Sequence, residues 1–303
     1  MRAERKLLAA IEAGGTKFIC AAGYAPDQIL QSAQIATTKP RETFAQVTSF
    51  FSKAVSAHGE IAAMGVASFG PIDIDPDSAT YGSILNTPKP HWTGANFLKE
   101  LAPFKAPIMI DTDVSGAGIG EAHAGAGKDL RTIAYVTVGT GIGAGVIKDG
   151  VPQSGFGHYE LGHIRPPRDK NADPYPGRCP FHGDCLEGVA SGPAIIERWG
   201  ASLSDLPAGH VAINLEAEYL SHLALTLILG HMPERIIFGG GVMKAPGLME
   251  QVRRETKALL GDYVQGQHLK GDLSDYIVAP ALGDLAGITG AMALAQMALK
   301  NAQ

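Results

Sequence analysis

Along the chain, short apolar runs alternate with segments whose apolar positions recur every three to four residues, the two periods that mark strands and amphipathic helices. Residues 7–13 and 18–23 predict two strands joined by a turn at Gly14 and Gly15, and residues 29–37 add a third to form a meander. Pro40 precedes a helical pattern over residues 42–58, with Phe44, Val47, Phe51 and Val55 on one face, after which residues 61–69 return as a buried strand. Residues 71–92, rich in Asp, Pro, Ser and Thr, read as a loop, residues 97–101 as a short helix and residues 107–110 as a strand. A helix over 115–125 follows, and then the pattern restarts. Residues 132–138 and 143–148 predict a second glycine-linked hairpin, followed by helix (216–231), strand (235–238), helix (248–260), strand (277–280) and a closing Gly- and Ala-rich helix (287–300).

A glycine-turn hairpin followed by strand and helix, twice over, implies an α/β protein of two similar halves facing a cleft, with a boundary near Ser115. The expected domains are a small N-terminal one, residues 1–114 with 288–303, and a larger C-terminal one, residues 115–287. An ordinary α/β enzyme with glycines serving only as turns would show the same periodicity. The length of 303 residues suits two domains, and 45% hydrophobic against 18% charged residues excludes a disordered or fibrous chain. A net charge of −5 without any dense run of Lys or Arg argues against nucleic acids and anionic membranes as partners. No apolar stretch reaches the roughly 18–20 residues that cross a bilayer, and the apolar core near the start is too short for a signal peptide. The expected location is the cytoplasm.

Glycine changes this picture most. It supplies 38 of the 303 residues, about one in eight where about 7% is usual. Gly14 and Gly15, the run 139–145 (GTGIGAG) and Gly239 to Gly241 each follow an apolar strand-like run, where backbone without Cβ can turn sharply and close on a ligand. Converging N–H groups in such turns suit phosphate. Neither G-x-x-x-x-G-K-[ST] nor G-x-G-x-x-G is present, which leaves two hairpin turns with hydroxyls, residues 12–17 and 137–145, able to clamp a polyphosphate between domains.

Transfer of a phosphoryl group to an alcohol needs an acceptor for the hydroxyl proton. Asp113, after an apolar run and before a helix, suits that role; it would equally suit a helix N-cap, and Asp111 is its local competitor. Cys179, His182 and Cys185 follow one another at intervals of three, offering three soft ligands in one loop, and three cysteines make no disulfide framework. A closed zinc site needs a fourth ligand, for which His163 and His158 compete, and without metal the loop is an ordinary one. Cys20, inside a strand, reads as a small core residue.

Six stretches in order, EAGGTK (12–17), SFGPID (68–73), TVGTGIGAG (137–145), ELGH (160–163), CPFHGDCLEG (179–188) and FGGGV (238–242), resemble the ROK family of sugar kinases and repressors, closest to its bacterial zinc-containing fructokinases. The resemblance spans nearly the whole chain and implies the actin-like, hexokinase-like (ribonuclease H-like) two-domain fold. It implies that Gly14, Gly15, Thr16 and Lys17, with Gly139, Thr140 and Gly141, hold the phosphates of ATP. Gly239, Gly240 and Gly241 would then lie near adenosine, and Glu12 would orient Mg2+ through water. Many relatives have Asp where this chain has Glu12. Asp113 matches the family's catalytic aspartate; the residue before it is commonly Asn and here is Thr112, which puts that sugar contact in question. Glu160, His163 and Glu187 match sugar-binding positions, and Asn86 is a further candidate contact. Pairing of His163 with the cysteine loop implies a zinc ion held by His163, Cys179, His182 and Cys185, although the loop departs from the commoner C-x-C-G-x-x-G-C form. Such a zinc would organise the sugar pocket without touching phosphate.

These readings converge on an ATP- and Mg2+-dependent sugar kinase with structural zinc, making fructose 6-phosphate from fructose. Glucose or an N-acylmannosamine are the alternative substrates, and a non-catalytic sugar-binding or regulatory protein is the alternative class. ROK repressors carry a helix-turn-helix ahead of the glycine motif, and 11 residues precede Glu12, which favours the kinase. The resemblance implies a homodimer.

Overall fold

The computed structural model describes residues 5–207 and 209–303. The first sheet is built around β1 (Leu7–Ala13), whose residues are buried on both faces apart from Glu12 near its end. β1 pairs antiparallel with β2 (Lys17–Ala25), which pairs with the more exposed β3 (Gln28–Ala36). On its other side β1 runs parallel to β4 (Ile61–Ser68), and β4 to β5 (Ile108–Thr112), giving the order β3-β2-β1-β4-β5. The second sheet repeats the plan. β6 (Thr132–Val138) and β7 (Ile142–Lys148) form the hairpin, β8 (Val151–Pro152) extends it, and β9 (Arg235–Gly239) and β10 (Ile277–Val278) add parallel strands in the order β10-β9-β6-β7-β8. The duplicated α/β topology expected from the hydrophobic pattern is present in full.

The chain divides into two compact units. One comprises the chain up to Gly125, Pro152–His158 and Leu282–Gln303; the other comprises Ala126–Val151 and Tyr159–Ala281. In the first, α1 (Pro40–His58), with Pro at its start where a missing N–H costs nothing, sets Phe44 against Phe18, Trp92 and Phe97. Phe97 opens α2 (Phe97–Leu101). Trp92 is fully buried and its indole N–H donates to the Thr38 carbonyl at 2.8 Å, so the long loop before α2 is pinned to the core rather than left to solvent.

α3 (Asp113–Ala124) packs on α8 (Ala286–Asn301) through small residues: a Cβ on Gly290 would stand 1.7 Å from the Gly116 carbonyl oxygen. That near-contact of backbones places α3 in the first unit, although the hydrophobic pattern assigned residues 115–125 to the second half. In the second unit α6 (Val211–His231) and α7 (Leu248–Leu260) bury Leu220, Leu223, Leu227 and Val252 in the same apolar core as Phe238 of β9. α6 starts five residues earlier than its periodicity predicts because His210 caps it, accepting the Ala212 N–H at 3.2 Å. Two short helices, α4 (Leu186–Ala190), with Gly188 inside it, and α5 (Gly192–Trp199), opened by Gly192 and Pro193, are too brief for their period to stand out in sequence.

Candidate active site and metal centre

In the first unit the elements bring three acidic groups toward one region. Glu12 lies near the end of β1, and Asp113 is the first residue of α3, directly after β5. Asp284 follows in the turn before α8 and, like Asp113, acts on Glu12 electrostatically. Burial, then the negative charges of Asp113 and Asp284, push the Glu12 carboxyl up to about 7 against the opposing pull of Lys17 and of the Ile288 N–H. Asp113 rises to about 6, again chiefly by desolvation, tempered by the Val114 N–H that its Oδ1 accepts at 2.9 Å and by nearby His158. A carboxyl poised near 6 ionises at neutral pH yet retains appreciable basicity.

The cap question is resolved by Thr112. Its hydroxyl oxygen accepts the Ser115 N–H at 3.0 Å, making Thr112 the N-cap of α3 and freeing Asp113, the first helical residue, from that role. Thr112, expected as a sugar contact, is buried with its hydroxyl turned to this cap and 3.4 Å from Asp111 Oδ1. Asp111 is only 6% exposed and accepts the Thr112 N–H at 2.7 Å, which suits support rather than proton transfer.

The first glycine turn is tight: the Gly14 N–H donates to the Lys17 carbonyl at 2.9 Å, and the Thr37 hydroxyl holds the Gly14 carbonyl at 2.8 Å. Gly15, Thr16 and Lys17 are exposed at its tip. Lys89, which nothing in sequence singled out, reaches back so that its ammonium donates to the Gly15 carbonyl. Asn86 is exposed on the same loop. His158 also belongs to this unit, its Nε2 accepting the Ile72 N–H at 3.3 Å.

The second unit carries the other glycine turn and the metal cluster. Gly139 donates its N–H to Gly141 at 2.9 Å, and Thr140 is exposed between them. Glu187, in α4, accepts the Ile142 N–H at 2.9 Å, so this candidate sugar ligand also braces the turn. Gly240, after β9, has φ +95°, and a Cβ there would lie 2.3 Å from the Val138 carbonyl oxygen; only glycine fits between Gly239 and Gly241.

His163, Cys179, His182 and Cys185 gather with all ligand atoms within 4.8 Å of one another, and His158 is not among them. His163 Nδ1 lies 3.4 Å from Cys185 Sγ and 3.8 Å from Cys179 Sγ, and His182 Nδ1 is 3.7 Å from Cys179 Sγ. Tetrahedral zinc with Zn–S of about 2.3 Å and Zn–N of about 2.0 Å requires edges of roughly 3.3–3.8 Å, so these atoms fit such an ion with little adjustment beyond closing the widest pair. On the other side of His163, Glu160 Oε2 lies 3.9 Å from Nε2, near the ring but beyond hydrogen-bond distance. The loop is drawn into shape by a bridge between Cys179 and Gly183 and by charges: Asp184 meets Arg165 at 2.9 Å and Lys170 at 3.0 Å, while buried Asp173 meets Arg168 at 2.8 Å and Arg198 at 2.7 Å.

The model of the ROK family matches residues 8–298. The chain belongs to the ROK family. A fructokinase of Zymomonas mobilis subsp. mobilis is 42% identical over 302 residues, covering 97% of this chain and 98% of its own, and one of Pediococcus pentosaceus is 40% identical over 297 residues, covering 98% and 100%. Among solved structures, a ROK hexokinase from Thermus thermophilus superposes with a TM-score of 0.77 at 22% identity, covering 97% of this chain and 99% of that one. This ROK chain therefore has the actin-like, hexokinase-like fold that its motifs implied.

Proposed function

We propose that this ROK protein is an ATP-dependent fructokinase, transferring the γ-phosphoryl group of ATP to the 6-hydroxyl of D-fructose to yield fructose 6-phosphate and ADP. The observation that carries it is the near-complete coverage by fructokinases at about 40% identity, joined to a carboxylate at the end of β5 with the basicity the reaction needs. In this reading Asp113 takes the proton of the 6-hydroxyl as that oxygen bonds to the γ-phosphorus and the bond from phosphorus to the ADP oxygen breaks. The turns at Gly14 to Lys17 and Gly139 to Gly141 present N–H groups and hydroxyls to the phosphates, and Gly239 to Gly241 make room for adenosine.

Glu12 would hold Mg2+ through water, and that ion, when bound, neutralises phosphate charge. His163, Cys179, His182 and Cys185 would hold one structural zinc, which keeps Glu160 and Glu187 in place for the sugar hydroxyls alongside Asn86. The same reading includes a homodimer in the cytoplasm; among the described residues no helix is long and apolar enough to cross a membrane. Coupled ADP release with ATP and fructose, glucose, mannose or N-acetylmannosamine tests the proposal. Fructose should give the highest kcat/KM. A tenfold lead for another sugar would reassign the substrate while leaving the kinase, and no turnover with any sugar would favour a binding protein.

A further inference from the structure

α8 begins without a cap of its own. Leu285, at the N-cap position, has no side-chain acceptor, and the turn running into the helix serves its first N–H, Ala286 donating to the Gly283 carbonyl. The carboxylate of Glu12 arrives from β1 against this first turn, where the Ile288 N–H favours its charge. This approach depends on residue 287. A Cβ built on Gly287 would stand 2.4 Å from Glu12 Cδ, 2.5 Å from its Oε1 and 2.9 Å from its Cγ. All three nearest atoms belong to one flexible side chain, whereas the nearest atoms to a Cβ on Gly120 or Gly290 are backbone. A side chain at 287 would therefore displace the Glu12 carboxylate while leaving the helix where it is. Glu12 Oε2 is buried and has no hydrogen-bond partner among the described residues, so it is available to something else.

We infer that Gly287 is a positioning residue: lacking a side chain, it lets the Glu12 carboxylate lie against the first turn of α8 and hold Oε2 in a fixed direction. Only the consequence for Mg2+ rests on the function proposed above; the coupling between residues 12 and 287 does not.

Two measurements test it. Thermal unfolding of the unaltered chain, Gly287→Ala, Glu12→Ala and the double variant should show Gly287→Ala raising Tm more in the Glu12→Ala background, where the new methyl meets no carboxylate and alanine's better helix propensity is realised. An equal Tm change in both backgrounds overturns the inference, and so does failure of Gly287→Ala to fold in both. Binding of Mn2+ in the presence of ADP, followed by electron paramagnetic resonance, should weaken about tenfold in Gly287→Ala, the lower end of what losing a partner behind a metal-facing group costs. Adding Glu12→Asp, a shorter side chain that clears the methyl, should recover part of that loss; no recovery overturns the inference. Should the unaltered chain phosphorylate no sugar, the proposed function fails while the unfolding measurement still decides the contact.

Discussion

The two sheets share one strand order and differ in how each meander leaves for its first helix. In the first, three residues, 37–39, separate β3 from α1; in the second, residues 153–185 separate β8 from α4. The first sheet therefore keeps its chemistry at strand ends, where Glu12 and Asp113 are held by β1, β5 and the first turns of α3 and α8. The second sheet moves its candidate chemistry into a long excursion that Tyr159, Leu161, Ile164 and Tyr175 anchor to the core and that a ligand cluster with the Asp173 and Asp184 ion pairs cross-links. One topology thus supports rigid placement by backbone and placement by polar cross-links, and loops of that length usually persist because they carry function.

The sharpest break between the two sheets should come from Asp113→Asn. Loss of the proton acceptor should lower kcat by about 10²–10⁴ with Tm held or raised, because Thr112 and not Asp113 caps α3 and the desolvated Asp113 charge costs stability at neutral pH. Steady-state kinetics beside thermal unfolding checks this, and unchanged turnover would remove Asp113 from the chemistry. The same group sets the pH profile. Its pKa is raised to about 6 and only the ionised form accepts a proton, so kcat/KM should fall as pH drops through about 6, a limb that Glu12, raised to about 7, begins earlier where its charge holds Mg2+. An acid limb near 4 would contradict the desolvation of Asp113.

On the second sheet, Cys179→Ser should lower bound zinc, measured by elemental analysis, with metal affinity falling at least the 10–100-fold that loss of an outer partner costs. KM for sugar should rise more than kcat falls. Full sugar affinity in metal-free protein would show that the ion pairs suffice to shape the loop.

The smallest effect concerns the seam between strand and helix. Thr112→Ala removes the cap of α3 and should cost about 1 kcal/mol in urea unfolding, whereas Thr112→Asn, another good cap, should cost a few tenths at most. If an asparagine amide there reaches sugar, Thr112→Asn should also raise glucose relative to fructose in kcat/KM.

Strands, glycine turns and the longer helices were legible in the residues because each depends on local period and on backbone that only glycine or proline adopts. The acidic residue after β5 and the spacing of Cys179, His182 and Cys185 were legible for the same reason, being short-range patterns of chemically distinctive side chains. Tertiary structure decided what depends on distant partners. It seated α3 on α8 through Gly116 and Gly290, joined His163 rather than His158 to the cysteines across 16 and 22 residues, and brought Lys89 to Gly15 across 74. It also let a glycine at 287 make room for a glutamate at 12. Periodicity reports which face of an element is apolar, but closeness of two backbones, the direction of a carboxylate and the choice between two histidines follow only when the elements pack, since burial fixes which polar groups must find one another.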